Sequence, residues 1–92
     1  MQEHPQGAQL AAELAPRRIT ANSIRAGVTA TPAAKKIPNY DEFSRKAIER
    51  NPSRRMTTTD DVARAIVVLS HPDTHWVTGN VIGVDGGEEI AG

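Results

Sequence analysis

The apolar positions of the chain recur with two different spacings, which predict helices and strands in turn. Leucines spaced four residues apart among alanines in 8–15 predict a helix that Pro16 ends. The clearest helical period covers Thr57 to Ser70, where Thr58 and Asp61 have the spacing of a capping box. The apolar side of that helix consists of Val62, Ala65, Ile66 and Leu69.

A third helix is predicted to begin at Asn39, whose side chain would cap it with Glu42 as the reciprocal partner, and to stop at Asn51. Its apolar side is narrow and consists of Tyr40, Phe43, Ala47 and Ile48. Such a helix is either a surface helix or a mobile lid over a pocket, and periodicity alone favours the surface helix.

Two short runs of β-branched residues predict strands. The first covers 18–24 and ends before Gly27, and the second covers 80–84 and leads into the turn Asp85-Gly86-Gly87. Because helices separate the two strands, we expect parallel pairing with a right-handed crossover. Two strands are too few for an independent sheet, so we expect the complete domain to hold further strands.

Composition narrows the function classes. With 92 residues the chain is one domain or part of one. Eleven basic residues balance eleven acidic ones, which gives no net electrostatic case for a nucleic acid or an anionic membrane. The sequence has no cysteine, which excludes disulfides and fits a cytoplasmic location. Residues 1–7 are polar, and we expect them to be frayed.

Candidate chemistry concentrates in the loop after the first strand. Ligands of open α/β sheets lie beyond the carboxyl ends of strands, and Gly27 would allow a positive φ or a close backbone approach to a ligand. Other candidates are weaker. The run His71 to His75 suggests a metal site but lacks a third ligand, Asp85 lacks the spacing of a calcium loop, and Ser23 has no nearby histidine as base.

Several segments resemble the short-chain dehydrogenases/reductases. Residues 10–19 resemble the end of the helix that carries the family's catalytic tyrosine and lysine, and 22–32 resemble its sixth strand and following loop. Arg55-Met56-Thr57 with the helix after it, and 78–87 with the terminal Asp-Gly-Gly, resemble the last helix and strand. The likeness covers about residues 8–90 and is greatest to the enoyl-acyl-carrier-protein and 3-oxoacyl reductases.

The resemblance implies an α/β fold, specifically the C-terminal part of a Rossmann-like, doubly wound parallel sheet with two strands and three helices. It implies that Gly27, Val28, Thr29 and Thr31 meet the nicotinamide half of NAD or NADP, and that 33–51 form the substrate-binding loop. It also implies a small-molecule or acyl-thioester substrate. Separately, the exposed strand edges and uncovered apolar faces of so small a sheet predict a homo-oligomer or association with a longer relative.

The chain also departs from the family pattern. It contains no glycine-rich phosphate loop and no Tyr-x-x-x-Lys pair, and Ala26 stands where the family usually has proline. We therefore expect no catalytic residue in these 92 residues and no reductase activity from the isolated chain. The alternatives are a non-catalytic structural or self-association module derived from this fold and, more remotely, an unrelated small binding domain.

Overall fold

The computed structural model describes residues 5–90. These residues form three helices and two strands, with short 3-10 turns at 15–17, 34–36 and 72–74. In chain order they are α1 (Pro5–Leu14), β1 (Ser23–Ala26), α2 (Tyr40–Arg50), α3 (Thr59–Leu69) and β2 (Val81–Val84). None of the helices in 5–90 is long and apolar enough to cross a membrane.

The two strands form a parallel sheet, which confirms the predicted α/β class and pairing. The register runs from Ser23 opposite Val81 to Ala26 opposite Val84. The amide of Ser23 donates to the Asn80 carbonyl at 2.8 Å, and that of Gly27 donates to the Val84 carbonyl at 3.2 Å. Both strands therefore end at the same edge of the sheet.

The first strand is shorter and later than predicted, because 18–22 are not part of the ladder. Arg18 has a φ of 63° and closes a 3-10 turn, so extended structure cannot begin there. The residues before β1 instead bond irregularly to the loop before β2. The Ala21 amide donates to Thr78 Oγ1 at 3.0 Å, and the Gly79 amide donates to the Ala21 carbonyl at 2.8 Å.

The described part of the N-terminal helix includes 5–7, which the sequence analysis placed in a frayed segment. Residues 1–4 of that predicted segment lie outside the described residues. The helix ends at Leu14, two residues before Pro16, as expected.

The helix starts differ in how well they were predicted. At α3, Thr58 Oγ1 accepts from the Asp61 amide and Asp61 accepts from the Thr58 amide, which confirms the capping box. At α2, Asn39 adopts a left-handed backbone with a φ of 62°, and its side chain makes no cap hydrogen bond. Glu42 consequently does not act as a reciprocal cap, and its carboxylate lies 3.4 Å from the Lys46 ammonium.

Little apolar surface is buried within the described residues. Among 5–90, the buried apolar residues are Ala11 and Ala47. In contrast, Val67 on α3 is 70% exposed and Trp76 in the loop before β2 is 88% exposed. Exposed apolar side chains on this scale mark surfaces that other structure covers. They agree with the expectation that two strands form an incomplete domain.

Candidate functional site

The candidate site is the loop 27–31, which leaves the carboxyl end of β1. It lies beside the turn that follows β2, and a segment before α3 also contacts it. Thr29 forms a parallel bridge with Thr57, and the Thr57 amide donates to the Val28 carbonyl at 3.1 Å. The four predicted contact residues (Gly27, Val28, Thr29 and Thr31) thus share one half-buried loop at the sheet edge.

Gly27 is required for close packing, and its φ is not positive, unlike that of Gly86. A Cβ at Gly27 would lie 2.6 Å from Thr57 Oγ1 and 2.9 Å from the Asp85 Cβ. The sequence predicted a positive φ or a close approach to a ligand at Gly27, whereas the close approach seen here is to Thr57 and Asp85 of the chain itself. Gly27 is the point where β1, the turn after β2 and the segment before α3 meet.

The two threonine hydroxyls of the loop have different roles. Thr29 Oγ1 donates to the Gly27 carbonyl at 2.7 Å, which tightens the bend after β1. Thr31 Oγ1 accepts from the amide of Ala34, the first residue of the following 3-10 turn, at 3.1 Å. Among the hydrogen bonds of 5–90, Thr31 Oγ1 is an acceptor only, which leaves its proton available to an external acceptor.

The amide of Val28 donates to the Glu88 carboxylate, Oε1, at 3.0 Å. Glu88 lies 60 residues further along the chain, in the turn after β2. Sequence reasoning missed it, since an acidic residue beyond a glycine turn has no local pattern that marks a long-range partner. The structure therefore adds Glu88 to the candidate site.

The turn Asp85-Gly86-Gly87 is stabilised from within, as predicted for a turn. The Asp85 carboxylate accepts from the Gly87 amide at 3.0 Å and from the Glu89 amide at 3.2 Å. The two glycines have φ values of 64° and 97°, which side chains rarely adopt. Because backbone amides occupy its carboxylate, Asp85 holds the turn that presents Glu88.

Asn51 joins the end of α2 to this turn. It is 2% exposed, donates through Nδ2 to the Asp85 carbonyl at 2.9 Å and accepts through Oδ1 from the Ser53 amide at 2.8 Å. The Ser53 hydroxyl donates to the Gly86 carbonyl at 2.6 Å. Sequence reasoning treated Asn51 only as a helix stop, but its buried amide satisfies two separate backbone groups.

An ion pair supports the segment before α3. The Arg55 guanidinium contacts both oxygens of Asp61 at 2.6 and 3.0 Å. Its hydrogen bonds, together with those from Thr58, lower the pKa of the Asp61 carboxyl well below its ordinary value. This pair fixes the N-terminus of α3 and the preceding chain that contacts Val28.

The remaining candidates behave as structural residues. His71 Nδ1 accepts from the Asp73 amide at 3.0 Å, and within 5–90 no group of three potential metal ligands occurs. Ser23 lies in β1 and contributes its amide to the ladder. An apolar groove of about 590 Å³ between Ile19 and Trp76 lies away from the loop 27–31.

The polar groups of the loop fit a carboxamide such as that of nicotinamide. A carboxamide offers one carbonyl acceptor and two N–H donors. The Thr31 hydroxyl can donate to the carbonyl, and the lone pairs of Thr29 Oγ1 can accept from the amide nitrogen. The Val28 amide is a further donor, but Glu88 occupies it in this structure.

Comparison with known proteins identifies the family of the chain. Residues 7–89 match the family described as enoyl-(acyl carrier protein) reductase. The chain is 38% identical over 77 residues to the 3-oxoacyl-[acyl-carrier-protein] reductase of Thermotoga maritima, covering 84% of this chain and 30% of that protein. It is 37% identical over 83 residues to the NADH-dependent enoyl-[acyl-carrier-protein] reductase of Bacillus cereus, covering 90% and 32%.

Solved structures give the same result. The Bacillus cereus enoyl-acyl carrier protein reductase, solved with NADP+ and indole naphthyridinone, superposes with a TM-score of 0.84 at 36% identity and covers 95% of this chain and 34% of that one. A putative 2-deoxy-D-gluconate 3-dehydrogenase from Agrobacterium tumefaciens with bound NADP gives 0.83 at 29% identity, covering 92% and 35%. The chain thus spans about a third of the length of the relatives that it matches. On the match over 7–89, it belongs to the enoyl-(acyl carrier protein) reductase family of short-chain dehydrogenases/reductases.

Proposed function

We propose that the chain is the C-terminal part of an NAD(P)-dependent short-chain reductase that acts on an enoyl or 3-oxoacyl thioester, as in fatty acid metabolism. The observation that carries the proposal is the loop 27–31 at the carboxyl edge of a parallel sheet, in a chain whose relatives include both kinds of reductase. In this proposal Gly27, Val28, Thr29 and Thr31 meet the nicotinamide. A cytoplasmic location is part of the same proposal.

Each loop residue has a physical role in this proposal. Gly27 lets β1 end against Asp85 and Thr57, which brings the loop to the sheet edge. The Thr31 hydroxyl donates a hydrogen bond to the carboxamide carbonyl, and Thr29 Oγ1 accepts one from the carboxamide nitrogen. The bound nicotinamide supplies hydride chemistry, and the protein orients the ring.

The segment 33–51 is proposed as the substrate-binding loop, with α2 as its lid. Phe43 on α2 is 43% exposed, while Ala47 on the same helix is buried. A helix anchored through a small buried residue and carrying an exposed aromatic one can cover an acyl chain. The test is substitution of Phe43 by alanine in an active assembly. An increase in KM with unchanged kcat supports the lid, and an unchanged KM contradicts it.

The isolated chain is proposed to have no reductase activity, because no Tyr-x-x-x-Lys pair occurs in the 92 residues to protonate the product. The test is an NAD(P)H oxidation assay of the pure chain with a 3-oxoacyl and an enoyl thioester. Turnover above background would refute this proposal.

Cofactor binding is tested separately by titrating NADH and NADPH into the chain by calorimetry. Thr31→Val, which removes the hydroxyl while retaining the shape, should weaken any binding roughly tenfold, as expected for a lost hydrogen bond that leaves its partner unsatisfied. Thr20→Val is the control, because Thr20 lies before β1 and away from the loop. Equal affinity for both variants would contradict the role of Thr31.

A second candidate function, association with another copy or a longer relative, rests on the open edge of β1. Since Ser23 and Gly27 donate to β2, the period of a strand directs the amides of Ile24 and Ala26 to the opposite edge. Such an edge pairs readily with another strand. Ile19, which precedes β1 in the chain and is 47% exposed, would also be available to such a partner.

Sedimentation velocity tests this association. Ile24→Pro removes an amide that faces the open edge and should shift the chain towards monomer. Ile24→Ala removes the same apolar side chain but retains the amide, so it should associate more strongly than the proline variant. A folded chain that stays monomeric at high concentration would count against the association.

A further inference from the structure

Both backbone groups of Val28 are occupied by parts of the chain remote in sequence. The amide donates to Glu88 Oε1 at 3.0 Å, and the carbonyl accepts from the Thr57 amide at 3.1 Å. Val28 belongs to the loop 27–31, which we propose meets the nicotinamide. Its amide therefore cannot donate to a ligand until Glu88 releases it.

The turn after β2 directs Glu88 towards the loop. The Glu88 amide donates to the Asp85 carbonyl at 3.2 Å, and the Asp85 carboxylate holds the amides on both sides of Glu88, those of Gly87 and Glu89. Glu88 is half-buried against the loop. Glu89 is exposed instead, and its carboxylate lies 3.8 Å from the Arg25 guanidinium. Of the two neighbouring glutamates, only Glu88 contacts the proposed site.

We propose that Glu88 is a positioning residue whose carboxylate holds the empty loop through the Val28 amide. The carboxamide of a nicotinamide must displace that carboxylate in order to bind. This inference rests on the proposed function of the loop. One N–H serves two competing acceptors, the Glu88 carboxylate and the carboxamide carbonyl. Because an ionised acceptor forms the stronger hydrogen bond, the carboxylate keeps the Val28 amide until other contacts between the cofactor and the protein make up the difference.

The consequence is an apparent affinity reduced by the fraction of chains in which the Val28 amide is free. Loss of the carboxylate should therefore raise the affinity of the chain for a nicotinamide cofactor, and the same change should leave the empty loop less ordered. A residue that merely stabilised the turn would not increase ligand affinity when removed.

The first experiment measures hydrogen exchange of the Val28 amide by NMR in the 92-residue chain. Glu88→Ala should speed exchange roughly tenfold, as expected for loss of a charge-assisted hydrogen bond. Glu88→Gln, which keeps an acceptor oxygen, should retain most of the protection. Glu89→Ala is the matched control and should leave exchange at Val28 unchanged. Unchanged exchange in the Glu88→Ala chain would overturn the proposal, and the glutamine variant covers the case in which alanine impairs folding.

The second experiment titrates NADH into the same chains and follows the Val28 amide resonance. Glu88→Ala should reach half-saturation at a roughly tenfold lower NADH concentration than the parent chain, since the competing acceptor is gone. Equal midpoints in the parent and Glu88→Ala chains would overturn the competition while the cofactor site stands. No NADH-dependent shift in any chain, despite altered exchange at Val28, would overturn the proposed cofactor site and the competition with it.

Discussion

Gly27→Ala should strongly destabilise the fold by separating the three segments that meet at Gly27. An ideal Cβ there would lie 2.6 Å from Thr57 Oγ1, 2.9 Å from the Asp85 Cβ and 3.2 Å from the Asp85 Cα. Two of these atoms lie at or beside the backbone of the turn after β2. The amide of Gly27 donates to Val84, so neither strand can shift without losing a ladder bond. Overpacking of this kind costs about 1–3 kcal/mol, and the rigid neighbours indicate the upper end.

Gly83→Ala is the matched control within the same sheet. Its Cβ would also approach a neighbour at 2.9 Å, but that atom is the terminal Nη2 of Arg25, at the end of a flexible and exposed side chain. Arg25 can move aside at little cost. We therefore expect a change within about 0.5 kcal/mol, as for ordinary surface substitutions.

The measurement is urea unfolding followed by far-ultraviolet circular dichroism, which reports the three helices. Fluorescence is unsuitable because Trp76 is 88% exposed and would report little of the folded environment. The midpoint should fall clearly for Gly27→Ala and hardly for Gly83→Ala. Equal losses in the two variants would refute the reasoning that rigid neighbours decide the cost.

Three further substitutions test the connections around the site. The lowered pKa of Asp61 means that its ion pair contributes stability above the ordinary carboxyl value of about 3.9, which is lost as the pH falls below that value. In Asp61→Asn the free energy of unfolding should therefore change less as the pH falls through the acid range. Asp60→Asn should lose stability in acid as the parent chain does. Thr58→Ala removes the cap of α3 and should lower the free energy of unfolding by about 1 kcal/mol, measured by urea unfolding. Thr59→Ala is the control, because Thr59 is not the capping residue, and an equal loss in this variant would contradict the role of the cap. Asn51→Ala removes both hydrogen bonds to the part-buried Asp85 carbonyl and Ser53 amide and should cost about 1 kcal/mol. A neutral result by the same assay would contradict its linking role.

Local features of the sequence predicted the parts of the fold that depend on neighbouring residues. The cap of α3 needs only Thr58 and Asp61, three positions apart, and both hydrogen bonds form as expected. Parallel pairing followed from the order of the elements, since a helix-containing connection returns the chain in the same direction. The same reasoning failed at Asn39, where the backbone is left-handed and the expected side-chain cap is absent.

The position of the candidate loop was predictable, but its contacts were not. Gly27, Val28, Thr29 and Thr31 are consecutive or nearly so, and resemblance places them after a strand. Glu88, Thr57 and Asp85 reach that loop from the far half of the chain. No periodicity connects residues separated by 60 positions.

The sequence by itself determined the helices with strong periodicity, the glycine turn after β2 and the family to which the chain belongs. Only the tertiary structure decided that β1 begins at Ser23, since the preceding residues bond to the loop before β2 instead of joining the ladder. It also decided that Glu88 holds the Val28 amide. The physical reason is the same in both cases: a backbone N–H takes the acceptor that folding brings near, and that acceptor is specified by the whole chain and not by its neighbours in sequence.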